Sequence, residues 1–160
     1  MSIVLDNLLS SEEDESRLNQ KILRLILEYE AKVDKAEKLF ELTGVKLEEA
    51  CRVLPKNLMT YDRYYHDMKT LEEWLIVRRE QVQSKLWKKF TEGYPRALAA
   101  KDIQMYIQGD PEFVEHTETI LEVSDIKTKL QSIVKAFEQM GWMLGHMTKL
   151  RVAELQDAIL

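Results

Sequence analysis

Apolar residues recur at steps of three and four along most of this chain, and that spacing sets out a series of amphipathic helices. The first stripe is Leu18, Ile22, Leu25, Ile26, Tyr29, Val33, Ala36 and Phe40. Thr43-Gly44 should end it, because glycine accepts the left-handed conformation of a helix C-terminus. Ser10 or Ser11, followed by Glu12, Glu13, Asp14 and Glu15, offers an N-cap with dipole-favoured carboxylates in the first turn. A short helix over 45–53 should break at Leu54-Pro55, since proline pushes the residue before it towards extended backbone. The longest run follows, from about 56 to 91, with Leu58, Tyr61, Tyr64, Tyr65, Met68, Leu71, Leu75, Val82 and Leu86 on one side. The three tyrosines read as core or interface ahead of a stacking platform. Arg78 falls on the same stripe, where a guanidinium needs a partner or marks an opening to a ligand.

Gly93-Tyr94-Pro95 should end that helix, and a short one is expected over 96–107. Gly109-Asp110-Pro111-Glu112 then supplies Asp110 as N-cap and Pro111 at the first helical position. From there a last helix should run over 111–158. Within it Ile126, Leu130, Ile133, Phe137, Met140, Leu144 and Met147 alternate in steps of four and three, three heptads of a coiled-coil seam. Gly141 and Gly145 stand one turn apart and would let another backbone come close. Such a seam is filled either inside the chain or between chains. In the second case Ile133, Phe137, Met140, Gly141, Leu144, Gly145 and Met147 are the self-association residues. The expected fold is therefore all-α, an elongated multi-helix domain with long antiparallel helices and a long C-terminal oligomerisation helix. Residues 1–43 would form an acidic N-terminal extension with a helix, and residues 44–160 the main helical domain.

Composition agrees with this pattern. With 160 residues, five Gly, three Pro, 45% hydrophobic and 32% charged residues, the chain suits a helix-rich protein of one domain. No apolar run approaches the roughly 20 residues that span a bilayer. The opening MSIVLDNLL has no basic n-region, so a cytoplasmic location without membrane attachment is expected. Cys51 is the single cysteine and is expected to be a small buried hydrophobe, with no disulfide. His66, His116 and His146 are scattered, so no metal is assigned. There is no glycine-rich phosphate loop and no G-x-S-x-G. No catalytic residue and no cofactor are assigned, and the chain is not expected to be an enzyme.

Charge changes the picture at one place. The chain carries a net −5, yet Arg78, Arg79, Lys85, Lys88, Lys89, Arg96 and Lys101 lie between positions 78 and 101, against Glu80 and Glu92. Trp87 and Phe90 are interleaved with the lysines. Ammonium groups on phosphates and flat rings on unstacked bases are the means of sequence-tolerant single-strand binding. The alternative is a solvated helix face whose aromatics belong to the core.

The order of these landmarks resembles the UvsY-type recombination mediators of tailed phages, over roughly residues 38–160. The likeness rests on KLEEACRVLPKNLMTYDRYY at the entry to the long helix, KLWKKFTEG at its end, DIQMYI before GDPE, and GWMLGHMTKLRVAEL near the C-terminus. The resemblance implies an all-helical protein that assembles into a ring of copies, binds single-stranded DNA, and has no catalytic activity. Such a protein helps to load a RecA-like recombinase onto strands coated with single-strand-binding protein, in the host cytoplasm if phage-encoded. In the family's DNA-contacting motif a Lys and an Arg stand near an aromatic pair ahead of a glycine. Lys85 matches that lysine, Phe90 one aromatic and Gly93 the glycine. Trp87 occupies the arginine's place, with Lys88 and Lys89 as the nearest substitutes. A helical scaffold or adaptor that binds only protein is the competing expectation.

Overall fold

The computed structural model describes residues 15–93 and 98–157. Among them are helices α1 (Glu15–Ala36), α2 (Leu47–Glu92), α3 (Ala100–Gln108) and α4 (Pro111–Asp157), a 3-10 turn over Glu37–Leu39, and no strand. The all-α architecture with long helices is as the periodicity predicts. The expected N-cap at Ser10 or Ser11, Tyr94-Pro95, Arg96 and the last three residues lie outside the described residues.

Two compact units divide these elements, and α2 and α4 each contribute to both. Among the described residues one unit is Asp67–Asp125, and the other combines the residues from Glu15 to His66 with those from Ile126 onward. The boundary expected at 43/44 falls inside the second of these.

In the discontinuous unit α1 buries Leu18, Ile22, Ile26, Tyr29 and Ala36, the stripe read from the sequence. The helix stops at Ala36, earlier than expected. The 3-10 turn and Phe40 then redirect the chain, and Gly44, at φ 77°, makes the left-handed step that a side chain would oppose. Phe40 thereby stacks on Phe137 of α4, with ring centroids 4.4 Å apart, and Tyr61 of α2 packs on the same ring at 5.5 Å. The pairs Leu54 with Gly141 and Tyr61 with Phe137 show that α2 and α4 run antiparallel here. So do α1 and α2, through Tyr29 with Tyr64 and the Tyr61 hydroxyl with the Lys32 carbonyl.

The break expected at Pro55 does not occur. α2 passes through it, although an interior proline forfeits one backbone hydrogen bond and costs about 3 kcal/mol. What offsets that cost is a stripe that stays in register on both sides: Ala50 and Tyr61 are buried, Leu54 sits against Gly141, and Pro55 itself faces solvent. Cys51, expected to be buried, is exposed, because it lies one position off that stripe.

Tyr61 allows a test of this packing. Burial pushes its hydroxyl above the ordinary value of 10, and Tyr64 adds to the shift. The folded protein therefore holds this proton to higher pH than the unfolded chain does. The contribution is complete below pH 10 and is lost as the pH rises past it. Tyr61→Phe should lose the bond to the Lys32 carbonyl, about 1 kcal/mol at pH 7, and show a shallower decline in stability above pH 10. Urea unfolding of both proteins across that range measures the two effects.

In the unit Asp67–Asp125, α2 buries Met68, Leu71, Leu75, Val82 and Leu86, and α4 buries Ile120 and Val123. Ile103 and Ile107, one turn apart on α3, join Val82 and Leu86 in a cluster covered by Phe90, Leu98 and Phe113. The Asp110 carboxylate accepts the Glu112 backbone N–H at 3.0 Å, and with Pro111 in the first turn it starts α4 where the sequence signal places it.

Candidate nucleic-acid interface

Val82 and Leu86 are buried, so the residues between and after them on α2 are sorted by helical geometry. Lys85, Lys88, Lys89 and, on α3, Lys101 are exposed. Lys85 and Lys89 are four apart and share one flank, whereas Trp87 is two residues from each and points about 200° away. Trp87 is 40% exposed, so it is not a core residue, but it does not converge with the lysines on its two sides.

The basic segment is not uniformly positive. Lys85 Nζ lies 3.4 Å from Glu112 Oε1, an exposed pair worth at most about 1 kcal/mol. Glu92 is exposed at the end of α2 and Asp102 stands in the first turn of α3. Lys88 and Lys89 are exposed on the same turns of the helix.

The two arginines have separate settings. Arg78 is half-buried, with its guanidinium 5.1 Å from the Trp74 ring. Arg79 stands four positions after Leu75 and three before Val82. Like Arg78, it stands half-buried at the edge of the seam. Its Nε is buried without a hydrogen-bond partner, and its guanidinium carbon lies 5.9 Å from the Phe113 ring. A buried donor left unpaired costs on the order of 1–3 kcal/mol, so packing of the Arg79 stem holds the position despite it.

One contact was not legible in the sequence. Tyr106 of α3 meets Phe90 of α2, with ring centroids 5.8 Å apart and planes inclined by 33°, and Lys89 Nζ lies 5.5 Å from the Phe90 ring. The signal for Tyr106 was its place beside Ile107 on a short amphipathic helix, which shows a side chain at the edge of the buried face but not what it meets.

The seam of α4 is filled largely from within the chain. Ile126, Leu130, Phe137 and Leu144 are buried, Ile133 and Met140 are half-buried, and a Cβ on Gly141 would stand 3.3 Å from Leu54. Gly145 is open on its solvent side, and Met147 is exposed together with Trp142, Met143 and Leu150. Beside them lies an apolar groove of about 500 Å³ between α2 and α4, with Leu54, Leu58, Gly141 and Trp142 in its walls and Lys149 at its rim. Among the described residues no group of His, Cys, Asp and Glu is placed to hold a metal ion, and no helix is long and apolar enough to cross a membrane. No protein-family model, no curated protein and no solved structure matches the chain.

Proposed function

We propose that the protein binds single-stranded DNA at the end of α2 and acts as a non-enzymatic recombination mediator. In that role it helps to load a RecA-like recombinase onto strands coated with single-strand-binding protein. The observation that carries the DNA-binding part is the exposure of Lys85, Lys88 and Lys89 on the last turns of α2, in a chain that is acidic overall, beside an aromatic pair contributed by two helices. Cations that are not consumed by the core are free to displace counterions from a phosphate backbone. The mediator role, its protein partners and assembly into a ring of copies rest on the resemblance to the UvsY-type proteins. A helical adaptor that binds only protein is the second reading, favoured by the apolar groove and by Trp142, which is 75% exposed beside it.

Binding of a fluorescent oligonucleotide as a function of salt separates the two. With three or four phosphates neutralised, the logarithm of the affinity should fall against the logarithm of the salt concentration with a slope of about −2 to −3. Absence of binding at low salt removes the DNA reading and leaves the adaptor.

A further inference from the structure

We propose that Phe90 and Tyr106 together form the platform on which one unstacked base of the bound strand rests, while Lys89 holds the adjoining phosphate. This inference rests on the DNA-binding reading and adds to it a base-contacting residue, Tyr106. Phe90 is anchored, since one side of it covers the Val82, Leu86, Ile103 and Ile107 cluster. Tyr106 is 48% exposed although its neighbour Ile107 is buried, so its ring extends the Phe90 surface outward from that core. Two rings from different helices, in contact with their planes inclined by 33°, present an aromatic surface at the edge of the core on which a base can settle. The Lys89 ammonium, 5.5 Å from the Phe90 ring, puts a cation at the edge of that surface. A strand tracking Lys85 and Lys89 along one flank of α2 reaches Phe90 at Lys89, and Trp87, three positions before Phe90, borders that ring on the opposite flank.

The same pair could serve only as a lid on the core, and the experiment is chosen to tell the two roles apart. Affinities are measured for oligothymidine and for an abasic strand with the same number of phosphates. Stacking of a base on an aromatic predicts that the wild-type protein binds oligothymidine about 5- to 150-fold more tightly. Tyr106→Leu, which keeps an apolar side chain against Phe90, should bring that ratio close to one with little change in abasic binding. Tyr106→Phe should keep the ratio. In the unmodified protein, oligothymidine should shift the Tyr106 ring proton resonances upfield, a readout that needs no variant to fold. An undiminished ratio in Tyr106→Leu, or unmoved Tyr106 resonances at saturation, overturns the platform and leaves the lysine interface standing. So does a wild-type ratio of one. Failure of the wild-type protein to bind either strand overturns the DNA reading and the platform together.

Discussion

Phe137→Ala should cost about 3–5 kcal/mol of stability, a large part of the roughly 5–15 kcal/mol that separates a folded domain from its unfolded chain. The ring is completely buried, stacked on Phe40 and packed on Tyr61. Truncation therefore leaves a hole whose walls come from three segments far apart in sequence, two helices and the turn that carries Phe40, and walls anchored so separately cannot collapse inward cheaply. Urea unfolding followed by circular dichroism gives the loss directly. Met147→Ala, on the same seam but exposed, should change stability by no more than about 0.5 kcal/mol. If sedimentation shows the protein to be an oligomer, the same pair of variants asks which part of α4 joins the copies. Met147→Ala should then lower the assembled mass while the fold is kept, and Phe137→Ala should reduce folded protein. Equal stability losses at the two positions would contradict the division of the seam described above.

The second large effect concerns binding. Each neutralised phosphate on a single strand contributes about 0.7 of a decade in affinity for every tenfold reduction of salt below 1 M. Replacement of Lys85, Lys88 and Lys89 together by Ala should therefore weaken oligonucleotide binding about 100-fold at 0.1 M salt and flatten the salt dependence by about 2 in slope. The fold should not change, because all three side chains are exposed and the pair between Lys85 and Glu112 contributes little. Among the single replacements Lys85→Ala should have the smallest effect, since Glu112 already offsets part of that charge. A triple variant that binds like the wild-type protein places the strand elsewhere, or nowhere.

Much of this architecture was legible in the chain. The stripes on α1, α2 and α4 were written in steps of three and four, and Leu71, Leu75, Leu130 and Phe137 are buried where that spacing puts them. The start of α4 was legible for a different reason: an Asx cap followed by proline is a local device that needs no tertiary partner. Pro55 shows where local rules stop. The preference of a residue before proline is weaker than the packing of a stripe that continues past it, and nothing near position 55 in the sequence announces Gly141 as the surface beneath Leu54. The candidate interface divides along the same line. Lysine exposure followed from α2 periodicity, but the meeting of Phe90 with Tyr106 depends on how α3 returns to α2. That Arg79 shares the edge of the seam with Arg78 is a one-residue matter that a step of three or four leaves undecided.

The two-unit organisation has a bearing on the order of folding. The segment Asp67–Asp125 is continuous, while the other unit is assembled from stretches on either side of it. During synthesis α1 and the first part of α2 can pair early, through Tyr29, Lys32, Tyr61 and Tyr64, because little chain separates them. Phe137 reaches Phe40 and Tyr61 only after the whole intervening segment has emerged. Until then the apolar faces of α1 and of early α2 lack their α4 cover, the kind of exposed surface that makes partly made chains prone to aggregate. The late arrival of α4 thus makes completion of the discontinuous unit the slow, vulnerable step. Truncation ahead of Phe137 would leave that unit without its central ring, however well the residues before it are formed.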